Sequence, residues 1–173
     1  ILKAGFSVYD YRVDFVVPTG NFGNILAGYL AEKMGLPVGK LVCASNANNV
    51  LTDFLRTGVY DKRRPFLRTA SPSMDILVSS NLERLLFLLS EGDDKAVAEW
   101  MRALNENGVY TVPKALLNKL NETFTAYCLD DKASSLVLGK VYKETGYLCD
   151  PHTAVAMGAA MEYKEKEGTE NPV

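Results

Sequence analysis

The apolar residues near the start of the chain follow first the pattern of a buried strand and then that of a helix. Val13–Val17 is a short β-branched run that ends at Pro18. From Ile25 to Met34 the apolar positions recur at helical spacing, and Gly35 ends the run. Lys40–Ser45 again has the pattern of a strand. Strand, loop, helix and strand in this order predict a right-handed βαβ unit with parallel strands.

The rest of the chain is predicted to be mainly helical, because runs with helical spacing alternate with glycine and proline. Ser80 and Glu83 have the spacing of a capping box, and Asp150 followed by Pro151 is typical of a helix start. Asp93 and Asp131 are predicted to be further caps. The predicted helices extend from Asn48 to Thr57, Ser80 to about Ser90, Asp93 to Asn107, Pro113 to about Leu120, Asp131 to Thr145 and Asp150 to about Lys166.

Length and composition are those of an ordinary soluble domain. The chain has 173 residues, of which 47% are apolar and 23% are charged. We expect residues 1–173 to form a single α/β domain, in which a mainly parallel sheet lies between helical layers in an αβα arrangement rich in helices. Both ends look like cuts through a longer protein, and Ile1–Tyr11 is predicted to be a helix tail and a connection.

Charge and cysteine content exclude several functional classes. The net charge of −2 provides no long-range attraction, so we expect neither a nucleic-acid nor a membrane partner. Apolar runs such as Leu85–Leu89 are too short to cross a bilayer. Cys43, Cys128 and Cys149 are far apart, which makes a zinc site improbable and indicates reduced thiols in a cytoplasmic protein.

The most informative segment is the loop Thr19–Asn24, which lies between the first predicted strand and helix. Glycine lets the backbone approach an anion closely, and a helix start presents unpaired N–H groups and a positive dipole end. These features predict a phosphate cradle made without a cation. The spacing fits neither a P-loop nor a dinucleotide-binding fingerprint. A tight turn without any ligand is the alternative.

Five segments in order resemble the threonine synthase family. The similarity extends over nearly the whole chain, in contrast to a single short motif. The segments are Val13-Asp-Phe-Val-Val-Pro-Thr-Gly-Asn-Phe-Gly-Asn-Ile-Leu-Ala-Gly28 with Met34-Gly-Leu-Pro37, Ala44-Ser-Asn46 with Asn49-Val-Leu-Thr-Asp-Phe54, Ser71-Pro-Ser-Met-Asp-Ile76, Asn81-Leu-Glu-Arg84, and Asp150-Pro-His-Thr-Ala-Val155.

This resemblance implies the large, cofactor-binding domain of a fold type II enzyme that uses pyridoxal 5′-phosphate (PLP), which binds between two α/β domains. Thr153 matches the hydroxyl residue that meets the pyridine nitrogen, and a neutral hydroxyl there implies a largely unprotonated nitrogen. The residues that match the phosphate-binding loop are Gly20, Asn21, Phe22, Gly23 and Asn24.

Other residues have two interpretations at this point. His152 is the only histidine, and packing or capping is favoured over acid–base chemistry. Ser71–Asp75 is either an active-site loop or a rigid turn. Asn46, Asn48 and Asn49 either line the cofactor cleft or cap the following helix, and we prefer capping.

The resemblance also implies that the lysine forming the Schiff base with PLP lies in the remainder of the same polypeptide, before the present segment. No lysine here lies in a matching motif, so no catalytic residue is assigned and the isolated chain is expected to be inactive. The intact enzyme would convert O-phospho-L-homoserine and water to L-threonine and phosphate, by elimination of phosphate and addition of water at the β-carbon, as a monomer or homodimer. Alternatives are a phospholyase that makes no threonine and a non-catalytic binding module with the same fold.

Overall fold

The parallel βαβ unit predicted from the sequence opens the fold. A computed structural model describes residues 11–173, so the interpretation of Ile1–Tyr11 lies almost wholly outside the described residues. Strand β1 (Val13–Pro18) pairs in parallel with β2 (Val38–Ser45), and helix α1 (Gly23–Lys33) connects them. Both strands and the helix were predicted within a few residues of these bounds.

A third strand completes this sheet and was missed by the sequence analysis. Strand β5 (Phe124–Cys128) pairs in parallel with β2, and the strand order is β1-β2-β5. Helix α5 (Lys114–Thr123) ends directly before β5, so no glycine or proline separates the two elements. Only pairing with β2, about eighty residues earlier in the chain, distinguishes β5 from a continuation of the helix.

Two further short strands form a separate ladder. Strands β3 (Val59–Asp61) and β4 (Val109–Thr111) pair antiparallel. Each follows a glycine at the end of a helix, Gly58 or Gly108, in the left-handed conformation. The ladder places the rings of Tyr60 and Tyr110 in a stack with centroids 5.3 Å apart.

Helices cover both faces of the parallel sheet, which confirms the α/β class. Consecutive side chains of β2 point to opposite faces. Leu41 and Cys43 belong to the larger core cluster, whereas Val42 and Ala44 pack in a second cluster against α7. The remaining helices are α2 (Val50–Thr57), α3 (Leu82–Leu89), α4 (Asp94–Asn107), α6 (Asp131–Thr145) and α7 (Pro151–Glu167).

Several helix starts differ from the prediction. The capping box of Ser80 and Glu83 is not formed, because Asn81 is the N-cap of α3 and its side-chain amide donates to the Asn21 carbonyl instead. Asp130 rather than Asp131 caps α6, where it accepts the N–H of residue 133. The caps predicted at residues 93 and 150 are confirmed.

Candidate functional site

The loop between β1 and α1 presents backbone N–H groups at the carboxyl end of the sheet. Phe22 is the N-cap of α1 and has a left-handed backbone, with φ of 65°. The first hydrogen bond of the helix runs from the N–H of Leu26 to the Phe22 carbonyl, at 3.0 Å. The N–H groups of the first helical residues therefore have no partner within the helix and point out of its start. Together with the helix dipole they form a site for an anion.

Packing holds this unusual backbone in place. A left-handed conformation is unfavourable for a phenylalanine, and the surrounding structure must stabilise it. The Phe22 side chain is only 1% exposed, and its ring lies 5.7 Å from that of Phe124 on β5. The missed strand β5 therefore contributes directly to the shape of the loop.

Gly20 is required by a close approach of two backbones. A Cβ atom at this position would lie 2.6 Å from the carbonyl oxygen of Ser73. Ser79 donates a hydrogen bond from its hydroxyl to the Gly20 carbonyl at 2.8 Å, and Asn81 donates to the Asn21 carbonyl at 2.7 Å. The segment from Ser73 to Asn81 thus clamps the outer side of the loop.

A cavity of about 300 Å³ opens over the loop. It contains all five residues predicted to bind phosphate, but Thr153 lines a neighbouring depression with Val16 and Met157. Within the described residues no lysine or arginine lines this cavity, so any anion must be held by neutral donors. The lining comprises residues 17–25, Ser73, Met74, Asn81 and His152.

The first turn of α7 adjoins this cavity through a hydrogen-bonded cap. Asp150 accepts the N–H of His152 at 2.8 Å and that of Thr153 at 3.3 Å. The Thr153 hydroxyl lies 2.7 Å from the other carboxylate oxygen, and this hydrogen bond is the main reason why the pKa of Asp150 is lowered to about 2. The cap positions the side chains of both His152 and Thr153.

His152 packs between the cap and the opposite wall. Its Nδ1 lies 3.0 Å from Asp150 Oδ1, and its Nε2 accepts the N–H of Ser73 at 3.2 Å. His152 thus packs between these two groups and also lines the cavity, so the preference for packing over acid–base chemistry stays a prediction. The contact also joins α7 to the segment that clamps Gly20, which no sequence pattern indicated.

Buried amides hold the Ser71–Asp75 segment. Asp75 accepts hydrogen bonds from the side chains of Asn46 at 2.7 Å and Asn48 at 3.0 Å. It also accepts from the hydroxyl and the N–H of Thr69, at 2.7 and 3.0 Å. Burial raises the pKa of Asp75, but these hydrogen bonds outweigh it and the net shift is downward. Ser71–Asp75 is therefore a hydrogen-bonded turn that also lines the cavity through Ser73 and Met74, so both predicted roles stay open.

The preferred capping role of the asparagines was wrong. Asn49 is the N-cap of α2 by position, but its side chain makes no cap hydrogen bond. Its amide oxygen instead accepts from Arg64 at 2.8 Å. Asn46 and Asn48 are buried and bind the segment of residues 67–75, which a sequence pattern cannot distinguish from local capping.

The cysteines and other metal-ligating side chains among residues 11–173 are the remaining candidates for a second site. Cys43, Cys128 and Cys149 are free thiols, and burial raises the pKa of Cys43 to about 12. Among residues 11–173 no group of side chains could hold a metal ion. In the same range no helix is long and apolar enough to cross a membrane.

Comparison with known proteins connects this geometry to one family. A scan against protein-family models gave no match. The chain is 45% identical over 152 residues to threonine synthase of Pseudomonas aeruginosa and 42% identical over 161 residues to that of Saccharomyces cerevisiae. It superposes on an X-ray structure of PLP-bound threonine synthase from Brucella melitensis with a TM-score of 0.89 and 39% identity over 93% of this chain.

This chain is homologous to one segment of the threonine synthases. It spans only 32% of the Pseudomonas threonine synthase, 31% of the yeast protein and 34% of the Brucella structure. It is also 43% identical to human threonine synthase-like 1, over 96% of this chain and 22% of that protein. The similarity to threonine synthases therefore covers nearly all of this chain. It covers less than half of each relative.

Proposed function

We propose that this chain is the part of a threonine synthase that binds the phosphate group of PLP. The observation that carries the proposal is the left-handed Phe22, which turns the unpaired N–H groups at the start of α1 toward a cavity. The reaction of the whole protein would convert O-phospho-L-homoserine and water to L-threonine and phosphate. The segment would belong to a cytoplasmic lyase that works as a monomer or homodimer.

The residues of the cavity fit a phosphate group. Gly20, Asn21, Phe22, Gly23 and Asn24 would hold it through backbone N–H groups, whose number compensates for the absence of a cation. The close contact between Gly20 and Ser73 leaves no space for a side chain at this position, which supports a loop whose backbone conformation is fixed. Thr153, on the neighbouring surface, would face the ring nitrogen. When bound, PLP supplies an electron sink for carbanion chemistry on an amino acid.

The amine that binds the cofactor covalently would come from another part of the polypeptide. Within the described residues the cavity lacks a lysine, and the role of this segment is to bind and orient. We therefore expect this segment alone to hold phosphate or PLP weakly and to have no synthase activity. The remainder of the same polypeptide would supply the Schiff-base lysine and the rest of the substrate site.

A second candidate function is phosphate elimination without threonine formation. Threonine synthase-like 1, whose name specifies no reaction, matches this chain about as well as the threonine synthases do, so similarity alone does not assign the reaction. Both would use the same phosphate-binding loop. A non-catalytic binding module that keeps the fold is a third possibility.

Product analysis with the complete polypeptide tests these proposals. The protein is incubated with O-phospho-L-homoserine and PLP, and both released phosphate and L-threonine are measured. Equal amounts of the two products support threonine synthase. Phosphate without threonine supports the phospholyase, and absence of both products together with absence of bound PLP supports the non-catalytic module.

A further inference from the structure

The N–H of Ser73 is a donor that its own turn leaves without an acceptor. Pro72–Met74 forms a single 3₁₀ turn, in which the N–H of Met74 donates to the Ser71 carbonyl at 3.0 Å. The N–H groups at the start of a helical turn have no acceptor within that turn, and the proline has no N–H to offer. Ser73 donates instead to Nε2 of His152 at 3.2 Å, a residue that lies 79 positions later in the chain.

Asp150 determines which nitrogen of the His152 ring accepts this hydrogen bond. Nδ1 of the ring lies 3.0 Å from Asp150 Oδ1, an oxygen that also accepts the backbone N–H of His152 at 2.8 Å. An ionised carboxylate only accepts hydrogen bonds, and a neutral imidazole has one N–H. The hydrogen is therefore on Nδ1, where Asp150 holds it, and Nε2 presents its lone pair to Ser73.

The opposite side of Ser73 abuts the loop predicted to bind phosphate. Its carbonyl oxygen would lie 2.6 Å from a Cβ atom at Gly20, so the two backbones are in close contact. Ser73, Gly20 and His152 all line the same cavity. The hydrogen bond from Ser73 to His152 therefore fixes the position of the group that meets Gly20.

We propose that His152 is a positioning residue of the phosphate site, whose Nε2 holds Ser73 against Gly20 and so keeps the loop Thr19–Asn24 in the shape that receives a phosphate group. This inference rests on the proposed function, in which the loop binds the phosphate of PLP. The role requires the acceptor at Nε2, and a side chain of similar volume without that acceptor does not fulfil it.

The exposure of His152 distinguishes this role from that of a packed core residue. Its side chain is 29% exposed, whereas Ala154 and Val155 in the same turn of α7 are buried. A substitution at His152 therefore removes little buried volume from the core. We expect its main consequence to be the loss of the hydrogen bond to Ser73.

Three substitutions separate the acceptor from the volume of the ring. Glutamine carries its amide oxygen at about the distance of Nε2 from the backbone, so His152→Gln still accepts the N–H of Ser73. Asparagine is also polar, but its amide reaches only as far as Nδ1, and leucine has no polar atom. We expect His152→Asn and His152→Leu to lose the contact with Ser73 and His152→Gln to retain it.

The test compares binding of PLP with binding of pyridoxal, which lacks the phosphate group, to the complete polypeptide freed of cofactor. Both affinities are measured by equilibrium titration. We expect His152→Asn and His152→Leu to weaken PLP binding by about 5-fold, the contribution of one neutral hydrogen bond, and to leave pyridoxal binding unchanged. His152→Gln should keep the wild-type affinity for both compounds.

Equal losses of affinity for PLP and pyridoxal would show that His152 supports the fold in general, and would overturn its role at the phosphate site. Wild-type affinity in both His152→Asn and His152→Leu, or a loss in His152→Gln as large as in His152→Asn, would also overturn it. His152→Asn provides the measurement where His152→Leu does not fold. The proposed function fails separately if the wild-type polypeptide binds PLP no more tightly than pyridoxal.

Discussion

Two segments form opposite walls of the cavity, and they are held by different physical means. The loop Thr19–Asn24 is shaped by backbone conformation, with a left-handed Phe22 and a glycine where two backbones meet. Residues 67–75 are held by side chains, above all by the carboxylate of Asp75. We therefore expect an added side-chain atom to distort the first wall, and the loss of the Asp75 acceptor to destabilise the second.

Removal of the Asp75 carboxylate should have the largest effect. Asp75→Ala removes the shared acceptor of the Asn46 and Asn48 amides and of the Thr69 hydroxyl and N–H, and a hydrogen bond to a charged group contributes about 1.5–3 kcal/mol. The two amides keep Ser71 and the Leu67 carbonyl as acceptors, so the net loss is smaller than the sum of these contributions. We expect the free energy of unfolding, measured by urea denaturation, to fall by about 2–4 kcal/mol. Asp94→Asn, at an exposed first-turn position of α4, should change it by less than about 0.5 kcal/mol. Equal effects of the two variants would show that Asp75 does not hold this wall.

Added volume should break the first wall. Gly20→Ala places a Cβ against the Ser73 carbonyl, and such overpacking typically costs about 1–3 kcal/mol. We expect PLP affinity of the complete polypeptide, measured by equilibrium titration, to fall by about 10- to 100-fold. Gly139→Ala adds the same group to α6, where no atom lies within 4 Å, and should leave the affinity unchanged. Unchanged affinity in Gly20→Ala would contradict the backbone-determined shape of the loop.

Loss of the hydrogen bond from Ser79 to the first wall should have a smaller effect. Ser79→Ala removes the hydrogen bond to the Gly20 carbonyl, and a single hydrogen bond of this kind contributes about 1 kcal/mol. We expect a decrease of about 5-fold in PLP affinity, by the same titration. The neighbouring Ser80→Ala should have almost no effect, because Ser80 is exposed and forms no capping box. A larger decrease in PLP affinity with Ser80→Ala than with Ser79→Ala would contradict the role of the Ser79–Gly20 hydrogen bond.

Acid should weaken the α7 cap with a defined sign. The pKa of Asp150 in the folded protein, about 2, lies below the value of about 3.9 for an unfolded aspartate. Its stabilisation is therefore present above about pH 4 and is lost as the pH falls toward 2. We expect Asp150→Asn to flatten the decrease of the melting temperature over this range, whereas Asp94→Asn should not. If the melting temperature falls equally in wild type and Asp150→Asn between pH 4 and 2, the Asp150 carboxylate does not stabilise the α7 cap.

Much of the site could be predicted because its residues are contiguous in sequence. The βαβ unit, the loop from Gly20 to Asn24 and the cap at Asp150 each depend on neighbouring residues, and each was found. The clamp by Ser79 and Asn81 was missed, because neither residue has a pattern that points to a loop sixty residues earlier. Asn46 and Asn48 were misassigned for the same reason.

The sequence by itself determined the local elements: a buried parallel strand, a glycine-containing turn, a helix start that presents free N–H groups, and a hydroxyl in the first turn of α7. These follow from backbone conformation and hydrophobic periodicity, which act over a few residues. Only the tertiary structure decided that β5 joins the sheet, that Ser73 abuts Gly20 and that the Thr153 hydroxyl points to Asp150. Pairing partners and hydrogen-bond directions depend on which groups meet in space, and no spacing along one chain specifies them.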